Sequence, residues 1–201
     1  MKTFLTAALA ISLAGCATLS AQPDPSRFFT LSSLSPDEQS TGARVQGISL
    51  GIGPVTLPGY LDRQEIVTRI AQNQIRLSEH DRWAEPLDEG VARVLSQNLA
   101  SLLRAERITS YPWPIDRRPV YHVEIELLRF ETDSGQEAHL AARWTLRHMG
   151  KKDTVRYRET HLTRTAKTRT TAASVAALSE ALAGLSREIA EAVETMDGTG
   201  K

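Results

Sequence analysis

Cysteine occurs once in the chain, at Cys16. No disulfide can therefore form within it, and no cysteine-rich zinc site can be built. An excess of one charge is lacking too: 24 Lys and Arg face 24 Asp and Glu. That balance argues against nucleic acid as a partner, because phosphate backbones call for a basic surplus. No apolar run reaches the roughly 20 residues of a membrane-spanning helix. The signatures of catalysis are missing as well. There is no G-x-S-x-G elbow, no H-E-x-x-H pair and no Walker loop. Gly51-Ile52-Gly53 is followed by Pro54 inside a strand-like run, so it cannot open a helix over a phosphate. His80, His122, His139, His148 and His161 are scattered, with no pair at helical ligand spacing. The expectation is a protein that is not an enzyme, with no cofactor and no metal.

What is present begins with an address. Lys2 is followed by an apolar stretch over 4–14, too short to span a bilayer, and then by Leu13-Ala14-Gly15-Cys16. This is the pattern of a bacterial lipobox. Small residues before the cysteine suit a signal peptidase that accepts only short side chains. The Cys16 thiol takes a diacylglyceryl thioether, and cleavage before it frees an amine for a further acyl chain, typically palmitate. These covalent chains are the only prosthetic groups expected. Each buried CH₂ contributes about 0.8 kcal/mol, so several chains anchor firmly. Residues 1–15 are read as a lipoprotein signal peptide. Their removal takes away only Lys2 among charged groups. Ala17, rather than Asp, follows the cysteine. By the enterobacterial sorting rule this favours the outer membrane, with the domain on its periplasmic face.

Residues 16–26 are small, polar and proline-containing, the composition of a flexible tether. Ten residues reach at most about 35 Å. Residues 27–196 read as a single domain, with 197–201 a short tail. Strands are expected at 27–31, 45–57, 108–112, 120–130, 138–149 and 154–163, and a hairpin over 65–77 turns at Gln72-Asn73-Gln74. Two helices stand out. In 86–105, Leu87, Val91, Val94, Leu95, Leu99, Leu102 and Leu103 recur at helical spacing, with Pro86 suited to the first turn. In 174–196, Leu178, Leu182, Leu185, Ile189 and Val193 do the same. One apolar stripe per helix, with alternating strands, gives an α+β fold. It is a two-layer sandwich of a largely antiparallel sheet and two amphipathic helices.

Three features stand apart from scaffold. Between 143 and 169 nine Lys or Arg face only Asp153 and Glu159. The simpler reading is a solvated sheet face paired with Glu124, Glu126 and the C-terminal helix. The alternative is contact with an anionic surface or acidic partner. The loop Pro58-Gly59-Tyr60-Leu61-Asp62-Arg63 carries Tyr and Leu, which loops seldom need. Either they plug the core or they touch a partner. Trp83, just before the first helix, is read as a hydrophobic staple near Gly90 or Val91, with an interface anchor as the alternative.

The run GPVTLPGYLDRQEIVTR and the later WAEPL resemble the PqiC-type family, the ABC-type transport auxiliary lipoproteins. The family pattern is matched at Pro58, Tyr60, Leu61, Asp62, Arg63, Ile66, Val67, Thr68 and Arg69, and again at 83–87. Phe29 stands where the family usually has Tyr. The resemblance implies a subunit of an intermembrane lipid-transport system, docked on the outer membrane to an MCE-type periplasmic protein and supporting envelope integrity. A ring of identical copies would suit ring-like MCE assemblies. Tyr60, Leu61, Arg63 and Trp83 are then candidates for partner contact or loop shape. The alternatives are a periplasmic lipid carrier and an accessory of an outer-membrane β-barrel.

Overall fold

The computed structural model describes residues 24–35, 48–115, 118–150 and 155–198. The signal peptide, Cys16, most of the tether and the last residues of the tail lie outside these, as do Lys151 and Lys152.

The strands are β1 (Arg27–Phe29), β2 (Ser49–Thr56), β3 (Glu65–Ala71), β4 (Gln74–Trp83), β5 (Arg107–Ser110), β6 (Tyr121–Asp133), β7 (Glu137–His148) and β8 (Val155–Thr165). The helices are α1 (Leu87–Leu103) and α2 (Thr171–Gly198). They fall where apolar periodicity places them, with ends displaced by a few residues. Arg104 and Arg107 are expected to sit at the helix dipole's negative end. Arg104 does so as the left-handed C-cap of α1, whereas Arg107 opens β5.

The fold is α+β: one mixed eight-stranded sheet with two helices. Its long ladders, β3–β4, β6–β7 and β7–β8, are antiparallel, as alternation and short turns demand. Four shorter joins are parallel: β1–β4, β2–β5, β2–β6 and β3–β6. Local pattern carries no information on these, because parallel neighbours meet through long crossovers. α1 packs on β2 and β5, and α2 on β6, β7 and β8. Every residue of the expected α2 stripe is buried. In α1 only Leu102 is merely half-buried.

Along β6 the inward face holds Tyr121, Val123, Ile125 and Leu127, then Phe130 and Thr132. The register against β7 slips between Leu127 and Arg129. One extra residue turns every later side chain to the opposite face. Glu131 is thereby placed on the face away from the helices, across from His139.

Buried polar bonds fix how the chain enters. The Leu34 amide donates to Asn98 Oδ1 at 2.8 Å, and Asn98 Nδ2 donates to Ser186 Oγ at 3.0 Å. The Ser32 amide donates to Ser179 Oγ at 3.1 Å. The segment after β1 is thus pinned to both helices. β1 runs parallel to β4 and so opposite to β6, which defines two poles. The chain arrives at a near pole, with the turn at 134–135 and the start of α2, where Thr171 donates to Asp81. At the far pole lie the start of β6 and the end of α2, joined by Tyr121 donating to Asp197 at 2.9 Å. The 13 residues of β6 separate the poles by about 40 Å.

Candidate functional site

β7 occupies one edge of β6 along its whole length. The other edge is shared. β2 covers its first half, from Tyr121 to Glu126, and β3 its end, at Thr132 and Asp133. The PGYLDR loop bridges the gap between them. It is therefore an interruption in one continuous track along β6, and its side chains face what that gap exposes.

Two tight backbone bonds shape the loop: the Leu61 amide donates to Pro58 O, and the Arg63 amide to Leu61 O, both at 2.9 Å. Leu61 turns inward and is 2 % exposed. Tyr60 turns the other way, and its hydroxyl donates to Glu131 Oε2 at 2.8 Å. Glu131 Oε1 accepts from Arg69 Nε at 2.8 Å and Arg129 Nε at 2.7 Å, while the Phe130 amide donates to Oε2 at 3.1 Å. Four donors thus satisfy a carboxylate whose side chain is 0 % exposed. Burial pushes the Glu131 carboxyl up, but Arg69, Arg129 and the Tyr60 hydroxyl outweigh it and hold it below the usual range. Burial and the adjoining carboxylate push the Tyr60 phenol up to about 12, so it stays a donor.

The structure also joins the two sequence motifs. The Trp83 amide donates to Gln64 O at 2.7 Å, and the Ala84 amide to Phe29 O at 2.9 Å. Trp83 is buried in the core from the end of β4. It does not occupy the position just before the helix cap, which a staple requires and which belongs to Glu85. Of the four candidate residues, Leu61 and Trp83 support the loop from within, Tyr60 ties it to Glu131, and Arg63 differs. Arg63 Nε is buried with no hydrogen-bond partner, and its charge acts only at a distance on Glu65, which is paired with Arg82 at 3.1 Å. Sequence reasoning missed Glu131 and Arg129. Glu131 lies just beyond the strand read as ending at Phe130, and nothing local marks its partners 62 and 71 residues away.

The far pole carries a different feature. Residues 111–115 and 118–120 lie against the first residues of β2 and β6. Trp113 meets His122 edge-on at 4.6 Å, and the Met149 amide donates to Val120 O at 2.8 Å. Around it Tyr111, Ile115, Val120 and Met149 are exposed, Ile115 at 81 %. Gly51 permits this seating. A Cβ there would stand 2.6 Å from Pro119 Cγ and 2.8 Å from the Trp113 ring. Gly51→Ala is accordingly expected to unseat Trp113, costing about 1–3 kcal/mol. Denaturant unfolding and a red-shifted Trp emission check this.

The open sheet face also holds a groove of about 610 Å³, lined by Glu124, Glu126, Arg143, Thr145, Tyr157 and Glu159 among others. Arg143 lies 2.9 Å from Glu159 and 3.7 Å from Glu126, and Arg147 3.9 Å from Glu124. The pairs with Glu124 and Glu126 are those expected from the sequence, and Glu159 is a further partner. Thr163, His139 and Asp133 line up at 3.4 and 3.0 Å. His139 serves as a strut for the β6–β7 turn. Among the described residues no three His, Cys, Asp or Glu side chains are grouped to hold a metal ion.

A model of the ABC-type transport auxiliary lipoprotein component family matches residues 29–190. The chain belongs to this family. Its curated relative from Escherichia coli (strain K12), the intermembrane transport lipoprotein PqiC, is 23 % identical over 150 residues, 75 % of this chain and 76 % of that one. The Shigella flexneri protein of the same name matches equally. Protein XCC0632 from Xanthomonas campestris, of the DUF330 family, shares the fold with a TM-score of 0.71 at 17 % identity, over 87 % of this chain and 98 % of that one. An uncharacterised protein shares it at 0.69 and 21 %, over 84 % and 98 %. The family match begins at β1 and takes in the loop, Glu131 and most of α2, so the Tyr60–Glu131 clamp lies inside the unit that defines the family.

Proposed function

We propose that the protein is a non-enzymatic lipoprotein, held at the periplasmic face of the outer membrane by acyl chains on Cys16, which docks an MCE-type intermembrane lipid-transport system. The observation that carries this reading is the polarity of the domain. The described chain begins at one pole, the side on which this reading puts the membrane. Tyr111, Ile115, Val120 and Met149 form a group of exposed apolar side chains around the other, while Phe28 and Leu77 are exposed nearer the first. A protein held to a membrane at one end and presenting apolar side chains about 40 Å away is built to meet something arriving from across the periplasm. The name of its E. coli relative, an intermembrane transport lipoprotein, agrees. The carrier reading is weaker, because the groove on the open sheet face is walled by charged pairs, a poor lining for acyl chains. On this reading Tyr60, Leu61 and Trp83 hold the loop in shape, and Arg63 is the one candidate of the four left to meet a partner.

Two measurements test it. Cys16→Ala is expected to move the protein from the outer-membrane fraction of a density gradient to the soluble fraction. Cosedimentation of the unmodified protein with inner membrane would overturn the placement. A photo-crosslinking amino acid at Ile115 is expected to capture an MCE-type protein in intact envelopes, and one at Asn73, on the near-pole hairpin tip, is not. Capture at Asn73 alone, or of a β-barrel protein only, would sink the docking geometry.

A further inference from the structure

The basic run singled out in the sequence divides in two on the sheet. On the outer face, away from the helices, Arg143 and Arg147 have carboxylate partners. Arg156, Arg158 and Arg164 lie on the other face of β8, where the register sets them across from Leu146, Trp144 and Ala138. These β7 neighbours offer no counter-charge, and of the carboxylates on α2, which packs over this face, Glu188 accepts from Thr160 and Glu180 lines a groove with Arg164 without forming an ion pair. Arg158 lies over the Trp144 ring at 5.9 Å, and Arg164 Nη1 donates to the Thr163 carbonyl at 2.8 Å. Among the described residues none of the three is ion-paired.

These arginines sit on an edge. β8 pairs with β7 alone, through eleven consecutive residues, Val155 to Thr165, without a register shift. It contains no proline. The other edge strands have three residues (β1) and four (β5). Long regular edges are hazards that proteins usually blunt with bulges, prolines or short length. Here about 36 Å of strand offers its outward amides and carbonyls, and no described backbone group pairs with them.

We infer that β8 receives an extended acidic segment of a partner protein as an added strand, with carboxylates at alternate positions meeting Arg156, Arg158 and Arg164. Main-chain bonds supply affinity in such additions and alternate side chains supply specificity. The two-residue period of the arginines matches the period of a strand. A second copy of this chain is a poor occupant. Antiparallel self-pairing about Thr160, which uses the whole strand, sets Arg156 against Arg164, and like charges directly opposed are destabilising. The edge runs the length of the sheet, from Val155 at the far pole to Thr165 at the near pole. Its test reads β8 with a free peptide and no MCE-type protein, so the inference stands or falls separately from MCE docking.

The test uses the lipidated full-length protein in detergent micelles and ten-residue peptides alternating Glu with Thr or Lys with Thr. The Glu peptide is expected to bind, and to slow hydrogen exchange of the β8 amides by about tenfold or more. The Lys peptide is not. In the triple variant Arg156→Glu, Arg158→Glu, Arg164→Glu the preference should reverse while unbound exchange in β6 stays unchanged, which reports an intact fold. Failure of the Glu peptide to bind at millimolar concentration, or binding without protection of β8, overturns the proposal. Equal protection by vesicles of anionic phospholipid assigns the arginines to a lipid surface and overturns it as well. So does concentration-dependent self-association that protects β8 without peptide.

Discussion

Replacing Glu131 by glutamine is expected to lower the unfolding free energy by about 3 kcal/mol, which for a domain of this size shifts Tm down by about 6–12 °C. The reason is geometric. Glutamine preserves the volume but removes the charge that faces two arginines, and it places an NH₂ where a donor already points. Arg69 and Arg129 keep 24 % and 33 % of their side chains exposed. They rehydrate in part, which holds the loss well below that of stranding two fully buried cations. Tyr60→Phe removes one donor and leaves three, so about 1 kcal/mol is expected. The pH dependence follows from the same contacts. The Glu131 carboxyl is held below its usual value in the folded protein. Its contribution is therefore complete above the unfolded-state value, about 4.3, and is lost as pH falls through the lowered folded value. The gap between wild type and Glu131→Gln should be full at pH 7 and close on acidification. A gap that stays constant to pH 2 would remove the charge from the explanation. Asp81 and Asp133 are also held low and add acid sensitivity of the same sign to both proteins.

Leu61→Ala is expected to destabilise by about 2–4 kcal/mol, because a side chain only 2 % exposed leaves a cavity under a loop that strands on both sides prevent from collapsing. The result separates the two readings of the loop open at the sequence level. A core plug predicts a large loss of stability measured by urea unfolding. A partner contact predicts near-wild-type stability with impaired capture. Arg63→Ala supplies the contrast: a change below about 1 kcal/mol is expected, since Arg63 Nε has no hydrogen-bond partner and the side chain forms no ion pair among the described residues. If Arg63→Ala unfolds the protein as readily as Leu61→Ala, the distinction drawn between them is wrong.

The elements of this domain were legible because periodicity is local. The α1 stripe, the α2 stripe and the alternation of β6 and β7 each declare themselves within about a dozen residues, and buried positions follow from them. The cross-strand pairs of Arg143 and Arg147 were legible for the same reason, since a short turn fixes which residues face each other. Trp83 was read in relation to the helix that follows it. Its amide instead bonds Gln64, a neighbour given by strand pairing, and no spacing along the chain announces that.

By itself the sequence determined the elements, the inward faces of the helices and the family, all of which reside in short contiguous patterns. Only the tertiary structure decided that β2 and β3 share one edge of β6, so that the gap between them needs a loop clamped to Glu131. It also decided that Tyr111, Ile115, Val120 and Met149 gather at the pole opposite the chain's arrival, and that the basic run splits into a face of ion-paired arginines and one whose arginines form no ion pair among the described residues. Each of these depends on parallel crossovers, on a one-residue slip in β6, or on which face of an edge strand meets apolar neighbours. Such relations arise between segments tens of residues apart, and they come into being only when the chain has folded.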